Sequence, residues 1–309
     1  MAVSLVEGVR SNELPEVGVR ELLQLVPEAS LDGWIARELQ EATGLLDQIG
    51  LPWLLRLVVA GSMPPLWYEI AVLHYRGSYQ SRFMWLPVTY IPVVMAGGLL
   101  SAVIDTPGTR RLFRALSWGT FALGAFGTLM HLRGVRRQMG GLYEWRYNGM
   151  TGPPVVAPPQ VALFGLVGLL GTSDEGNREI IHRLRLVEIA GQLLLSVEAG
   201  YYHYENYYAN KVQYTPVTLA PVLAVAQAVA ELPISPARTA GRRLEAVLSV
   251  AATLAGLVGF GFHIKNVRSR AGGFSWQNLF YGAPLVAPLQ LSGQGLLGLL
   301  AAYFDRGRR

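Results

Sequence analysis

The sequence contains no cysteine among its 309 residues. This absence excludes structural disulfides, cysteine-ligated iron–sulfur clusters, thiolate-ligated haem and cysteine nucleophiles. It also removes the usual sequence indication of the redox compartment in which a protein works. If side chains of this chain bind a metal or a cofactor, the ligands must therefore be histidines, carboxylates or other nitrogen and oxygen donors.

Charged residues are scarce and unevenly distributed. Asp, Glu, Lys and Arg make up 15% of the chain, whereas a typical soluble domain contains about 25%. Six long segments contain no charged residue: 83–104, 115–132, 147–173, 212–230, 246–262 and 271–304. A bilayer core of about 30 Å is crossed by about 20 apolar residues in a helix. The pattern therefore predicts an integral membrane protein.

The charge balance of the chain is only modestly positive. The formal net charge is +5, and in a membrane protein such a charge is typical of loops that face lipid headgroups. Nothing in the charge pattern indicates nucleic acid as a partner. The expected partner is the lipid bilayer.

The sequence contains an internal repeat. Residues 74–79, His-Tyr-Arg-Gly-Ser-Tyr, correspond to residues 203–208, His-Tyr-Glu-Asn-Tyr-Tyr, 129 positions later. Two further pairs of blocks follow in the same order, with small changes in offset: 124–136 with 256–268, and 148–160 with 278–290. Three matching blocks indicate that the second half of the chain duplicates the first.

Charge-free segments and turn residues predict four helices in each half. The predicted ranges are 52–75, 85–105, 112–134, 154–171, 180–206, 214–232, 241–265 and 284–304. Because four is even, both halves enter the membrane in the same direction, as parallel repeats. The predicted fold is therefore an all-α integral membrane protein with eight transmembrane helices. The predicted divisions are an N-terminal segment (1–50), a first repeat (51–172) and a second repeat (173–309).

The N-terminal segment lacks the pattern of a signal peptide, which has a basic start, a short apolar core and a small-residue cleavage site. Between Glu13 and Ile49, acidic residues alternate with apolar ones at helical spacing, with Pro27 between two such stretches. This predicts two short amphipathic helices that lie on the membrane surface or dock onto other subunits of a membrane complex. We expect a bacterial inner membrane protein with both termini cytoplasmic, since eight spans return the chain to its starting side.

Histidines and glutamates recur at matching positions in the repeat. The repeated histidines are His74, His131, His203 and His263. They lie near the ends of odd-numbered helices, which run in the same direction, so the imidazoles are predicted to lie on one side of the membrane. Glu69 and Glu198 also repeat, about 7 Å deeper at helical rise. A carboxylate within a membrane span is costly and therefore indicates function.

One interpretation of this pattern is a haem b in each half, held axially by two histidines. Gly127 and Gly259 each precede a repeat histidine by four residues on the same helix face. We expect the missing side chains to open a flat space for the macrocycle. Arg136 and Arg268 follow near the interface, where guanidinium groups suit propionates. The predicted function is then a b-type cytochrome-like electron-transfer subunit, with quinone as its expected redox partner.

A second interpretation is a non-haem iron or other transition-metal site, as in a membrane oxidase or hydroxylase. Two sets of two histidines and one carboxylate suit iron: Glu69, His74 and His131, and Glu198, His203 and His263. Residues five positions apart diverge by about 140° around an ideal helix, so both reach one ion only across a local bulge. A third interpretation is a non-catalytic scaffold subunit of a membrane complex, in which the glycines serve helix packing.

Overall fold

The computed structural model describes residues 43–305 of the chain. The amphipathic helices predicted within the first 42 residues lie outside this range. The chain divides into two compact units, with the boundary between Gly50 and Leu51. The first unit contains one described helix, α1 (Thr43–Ile49). The second unit contains the remaining described helices and every predicted site residue.

The second unit is built from helices joined by turns, and no strand occurs in the range 51–305. Its α-helices are α2 (Leu51–Arg76), α3 (Trp85–Val103), α4 (Pro107–Arg136), α5 (Trp145–Thr151), α6 (Ala157–Leu170), α7 (Asn177–Glu205), α8 (Tyr214–Ala230), α9 (Ser235–Arg268), α10 (Trp276–Tyr281) and α11 (Leu289–Asp305). Short 3-10 helices at Arg82–Met84 and Lys211–Gln213 precede α3 and α8. The all-α class predicted from the sequence is confirmed.

Local sequence explains where α4 begins. The Thr106 side chain accepts a hydrogen bond from the backbone N–H of Thr109, and the Thr109 hydroxyl in turn accepts from the backbone N–H of Thr106. These bonds satisfy two of the N–H groups that a helix start leaves unpaired. Pro107 occupies the first helical position, where its missing N–H costs nothing. The preceding helix α3 ends at Val103, three residues before this cap.

Three helical segments are long and apolar enough to cross a membrane: Arg82–Val103, Lys211–Ala230 and Ser235–Arg268. A fourth counts when α1 and α2 are taken together as one interrupted span. By length and composition this is fewer than the eight spans predicted. Helix α6 has 14 residues, about 21 Å at helical rise, which is shorter than the hydrocarbon layer. Helix α7 has 29 residues but carries charged side chains through its first half.

Each half of the second unit folds as a four-helix bundle. In the first half, α2 packs on α3, α3 on α4 and α4 on α6, and α6 returns to α2; α7, α8, α9 and α11 close in the same order in the second half. The halves meet where α6 contacts α7 and where α11 contacts α2. The last helix of each half thus packs against the first helix of the other, as expected for two copies related by an approximate twofold axis.

The turn after the first helix of each half has the same backbone. Tyr79 and Tyr208 both have positive φ angles, 46° and 48°, an uncommon left-handed conformation for a tyrosine. Each tyrosine ring stacks on the first residue of the next helix, Trp85 at 4.1 Å or Tyr214 at 4.2 Å between ring centroids. The repeat in sequence is therefore accompanied by a repeat in local structure.

Candidate functional site

The structure brings the first two repeated histidines together. The imidazole rings of His74 and His131 are nearly perpendicular, at 86°, and their centroids are 6.4 Å apart. His74 lies in the last turn of α2, and His131 lies near the end of α4. The ends of two helices in one bundle thus each supply one imidazole to a pair.

One histidine in each half is anchored to a backbone carbonyl. His131 Nδ1 donates to the oxygen of Pro154 at 2.8 Å, and His263 Nδ1 donates to the oxygen of Pro284 at 2.5 Å. Because a carbonyl oxygen only accepts, Nδ1 carries the proton and Nε2 of the neutral ring keeps its lone pair. Hydrogen bonds of this kind orient the histidines of many metal sites. The two rings are therefore fixed with one nitrogen available.

The second half repeats the pair. His203 lies near enough to His263 for the two to interact electrostatically. The His203 ring also lies beside Tyr208, with centroids 6.3 Å apart. These contacts join histidines within one half, so the four imidazoles are arranged as two pairs.

The glycines beside the histidines serve helix packing. A Cβ atom on Gly127 would lie 3.0 Å from the Cβ of Pro158 in α6, and one on Gly259 would lie 3.1 Å from the Cβ of Pro288. The space beside each glycine is therefore filled by the neighbouring helix or the residue just before it. Pro158 and Pro288 thus lie where open space for a macrocycle is expected from the sequence, and haem binding stays a prediction.

The carboxylates do not join the histidines in three-ligand sites. Nowhere in residues 43–305 do three or more His, Cys, Asp or Glu side chains form a group suited to a metal ion. The sets predicted from the sequence, Glu69 with His74 and His131 and Glu198 with His203 and His263, are therefore not assembled. The reason is the five-residue spacing, which places glutamate and histidine on different faces of their helix. Arg136 and Arg268 end α4 and α9 with exposed side chains.

Instead, the two glutamates approach each other at the contact between the halves. Glu69 on α2 and Glu198 on α7 interact electrostatically. Glu198 Oε2 accepts a hydrogen bond from Nε2 of Gln160, a buried residue of α6. Glu69 Oε2 is shut off from solvent and has no hydrogen-bond partner in the part of the chain that the structure describes. The Glu198 carboxylate is thus held by a hydrogen bond, whereas Oε2 of Glu69 has no donor among the described residues.

A small cavity lies beside one of these carboxylates, that of Glu198. Its volume is about 40 Å³, and its lining includes Glu198, Tyr202 and Glu205 along α7. The Glu205 side chain is exposed, whereas Glu198 is half-buried. Because an ordered water needs about 10–15 Å³ of cavity volume, there is room for water between the carboxylates of Glu198 and Glu205.

A larger open cleft lies between the halves, next to His74. It has a volume of about 780 Å³, and its lining includes Tyr75, Arg76, Trp276 and Phe280. The guanidinium carbon of Arg76 lies 5.4 Å from the centre of the Phe280 ring, a cation–π contact. The cleft therefore offers aromatic faces and one positive charge.

A charged cluster in the second half is not among the residues singled out from the sequence. Arg185 is 2% exposed, and its guanidinium makes ion pairs of 2.7 to 2.8 Å with Glu231, Glu245 and Asp305. Arg242 pairs with Asp305 at 2.8 Å. These residues belong to α7, the end of α8, α9 and α11, so the cluster ties all four helices of the half together.

A set of neutral and acidic polar side chains continues from this cluster. Glu188 is 1% exposed, and its Oε2 accepts a hydrogen bond of 2.8 Å from Nε2 of Gln227. Gln192 on α7 and Ser249 on α9 are fully buried. The sequence signal for this set is the spacing of Arg185, Glu188 and Gln192, which places three polar side chains on one face of α7.

The equivalent positions of the first half are mostly apolar or small. Aligned through the repeat, Glu188, Gln192, Gln227 and Glu245 correspond to Val59, Met63, Gly98 and Phe113. The two halves therefore share a packing pattern but differ in the chemistry of their centres.

Comparison of the chain with protein-family models, with curated proteins and with solved structures finds no match. Function is therefore inferred from the side chains themselves.

Proposed function

We propose that the two bundles lie in a lipid bilayer as two parallel halves, in which every bundle helix except the 14-residue α6 is long enough to cross most of the hydrocarbon layer. Large apolar side chains are exposed along these helices; examples are Trp118 at 55%, Leu129 at 62%, Leu254 at 56% and Val258 at 59%. Such outward-facing apolar surface suits lipid rather than water. Two charges within α7 do not oppose this arrangement, because Arg185 and Glu188 are turned inward and buried. The exposed Glu179 and Arg183 lie in the first two turns of the helix, near its end.

The function that these features support best is proton movement across the membrane, with Glu69 and Glu198 taking up and releasing the proton. One observation carries this proposal: Glu69 of one half interacts electrostatically with Glu198 of the other, and within residues 43–305 Glu198 has a side-chain hydrogen-bond donor whereas Glu69 Oε2 has none. Two negative charges in a poorly solvated site repel each other. The pair is therefore most stable with one proton bound, and that proton can be exchanged.

The water-sized cavity along α7 supplies a path to this site. Tyr202 interacts electrostatically with both Glu69 and Glu198, and a hydroxyl group both donates and accepts hydrogen bonds. A proton from bulk water binds Glu205, passes through cavity water or Tyr202 to Glu198, and is shared with Glu69. Each step moves a proton between oxygen atoms and needs no oxidant or reductant.

The test is proton flux into liposomes that contain the purified protein and an internal pH-sensitive dye. Under an imposed pH gradient and membrane potential, wild-type protein is expected to dissipate the gradient faster than protein-free vesicles. Glu69→Gln and Glu198→Gln remove the exchangeable proton while keeping the side-chain shape. They are expected to slow the flux by roughly 100-fold or more, since a positioned proton-transfer group typically contributes about 10²–10⁴-fold.

The matched control for the flux experiment is Glu179→Gln, an exposed glutamate on the same helix as Glu198. Its flux is expected to equal that of the wild type. Infrared difference spectra give a second reading, since a protonated carboxyl band is expected in the wild type and is lost in Glu69→Gln. Wild-type vesicles that hold their gradient as well as protein-free ones would rule out proton conduction.

A second candidate is the electron transfer predicted from the sequence, and the His74–His131 pair favours it. Two imidazoles that bind one ion between them have nitrogens roughly 4 Å apart, since each metal–nitrogen bond is about 2.0 Å. The ring centroids at 6.4 Å suit that spacing, and the aromatic cleft beside His74 suits a planar quinone. Against a haem stands Pro158, which fills the space beside Gly127.

Absorption spectra and iron analysis of the purified protein decide this candidate. A b-type spectrum that is lost in His131→Ala supports electron transfer. A colourless protein without iron excludes it, and that result leaves the proton proposal unchanged.

A further inference from the structure

Unpartnered oxygen atoms line the polar centre of the second half. Glu188 Oε1, Gln192 Oε1, Gln227 Oε1 and Ser249 Oγ are shut off from solvent, and within residues 43–305 none has a hydrogen-bond partner; the same holds for the amide nitrogen Nε2 of Gln192. All four residues are at most 1% exposed. Leaving a buried acceptor unpaired costs roughly 1–3 kcal/mol. Four such oxygens in one bundle therefore indicate that a further group binds there.

Contacts bring three of these residues together, from three helices and beside a fourth. Glu188 on α7 and Gln227 on α8 are joined by a hydrogen bond of 2.8 Å. A Cβ atom on Gly298 of α11 would lie 2.3 Å from Ser249 Oγ and 3.4 Å from Gln227 Nε2. Gln192 lies one turn after Glu188 on the same face of α7. Because residue 298 is glycine, the backbone of α11 packs directly against these polar side chains, with no side chain of its own between them.

Within the part of the chain that the structure describes, no cationic side chain pairs with Glu188: its Oε2 accepts from Gln227 and its Oε1 has no partner. Arg185 acts on Glu188 electrostatically, and so does the like-charged Glu245. However, the Arg185 guanidinium binds Glu231, Glu245 and Asp305 directly. A buried carboxylate without a paired cation is strongly disfavoured. The site therefore calls for one positive charge.

We propose that this site, formed by Glu188, Gln192, Gln227 and Ser249, binds a small monovalent cation, namely sodium. Hard cations take oxygen ligands, and carboxylate, carboxamide and hydroxyl oxygens are of that kind. A single carboxylate neutralises one positive charge, whereas a divalent ion would remain partly uncompensated. The site is separate from Glu69 and Glu198 at the contact between the halves, so each proposal stands without the other.

The test is thermal unfolding of the purified full-length protein in detergent while sodium chloride replaces choline chloride at constant ionic strength. A ligand that binds only the folded state raises the melting temperature as its concentration increases. We expect this rise for the wild type and its absence for Glu188→Gln. Ser249→Ala keeps the charge but removes one oxygen, so its apparent Kd for sodium is expected to be roughly 3 to 10 times higher.

Two comparisons separate binding from a general effect on folding. In sodium-free choline chloride, Glu188→Gln is expected to melt at or above the wild-type temperature, because it removes an uncompensated buried charge. Glu179→Gln, an exposed change on the same helix, is expected to keep the wild-type response to sodium. Binding of radioactive sodium to the wild type, and its loss in Glu188→Gln, is the direct measurement.

Several outcomes overturn the sodium site. A wild-type melting temperature that is the same in sodium and choline chloride shows that only water or a proton occupies these oxygens. A sodium response that persists in Glu188→Gln places the ion elsewhere. Stabilisation by calcium chloride but not by sodium chloride contradicts the charge argument.

Discussion

Phe113 occupies, in the first half, the position that Glu245 occupies in the second. Both side chains are fully buried. The Phe113 ring fills the space beside Gly98, where an added Cβ would lie 3.1 Å from it. In the second half, Gln227 replaces that glycine, and Glu245 binds Arg185 at 2.7 Å. The second half thus carries buried carboxylates that the first half lacks at the matching positions, whereas Arg56 of the first half is buried like its counterpart Arg185 and pairs with Asp105.

The Arg185 cluster predicts a large effect of removing its central cation. Arg185→Met leaves Glu231, Glu245 and Asp305 buried or half-buried without their shared guanidinium. We expect a loss of about 3–5 kcal/mol in the free energy of unfolding, the usual cost of breaking a buried ion pair from one side. Denaturant titration in detergent measures it. Arg183→Met, which breaks only exposed pairs, should cost at most about 1 kcal/mol, and equal losses would contradict the prediction.

Glu231 predicts a pH dependence of stability. Burial alone would raise the pKa of Glu231, but hydrogen bonds from Arg185 and His182 outweigh burial and hold that pKa below its ordinary value. Its ionised form therefore stabilises the fold above the unfolded pKa, about 4.3, and this contribution is lost as the pH falls through the lower folded pKa. Glu231→Gln is expected to be less stable at neutral pH, by roughly 1–3 kcal/mol.

The same Glu231→Gln variant should also lose stability less steeply than the wild type below about pH 4.3. Unfolding curves collected over acidic and neutral pH in the same detergent measure both slopes. Parallel curves for the two proteins would show that Glu231 does not contribute in this way.

Gly124 predicts that α4 and α6 tolerate no side chain at their crossing. A Cβ atom at this position would lie 2.3 Å from the amide nitrogen of Ala162 and 2.6 Å from the carbonyl oxygen of Pro158. Because backbone atoms cannot rotate away, Gly124→Ala is expected to cost about 1–3 kcal/mol of stability. Thermal unfolding in detergent measures the change.

Gly261 supplies the control for this helix-packing prediction. A Cβ at Gly261 would meet nothing within 4 Å, and alanine favours a helix over glycine by up to about 1 kcal/mol. Gly261→Ala is therefore expected to be neutral or stabilising. The packing explanation fails if both alanine variants lower the melting temperature equally.

In the tyrosine turn after α7, glycine substitutions at two adjacent positions are expected to change stability differently. Tyr207 and Tyr208 have φ angles of 52° and 48°, which glycine adopts without the steric cost of about 1–2 kcal/mol. Tyr207 is 90% exposed, so Tyr207→Gly is expected to raise stability. Tyr208→Gly gains the same relief but loses stacking on Tyr214 and a hydrogen bond to the Gly200 oxygen. It is expected to be no more stable than the wild type, and melting temperatures that change equally would contradict this account.

The sequence by itself determined the helices and their repetition. The segments predicted at 85–105 and 214–232 correspond to Trp85–Val103 and Tyr214–Ala230. Other boundaries differ: α4 begins at Pro107 rather than at 112, directly after the cap at Thr106, and α9 begins at Ser235 rather than at 241. Caps and charge-free segments are local signals. These signals act between residues close in sequence, so they can be read from the sequence without knowing the fold.

Only the tertiary structure decided which side chains meet. Glu69 interacts electrostatically with Glu198 of the other half, and Gly127 packs against Pro158 of α6. Arg185 donates a hydrogen bond to Glu245, which lies 60 positions away on another helix. The rotation of each helix about its axis and the identity of its neighbour depend on the packing of the whole bundle. Spacing along one helix does not encode that packing.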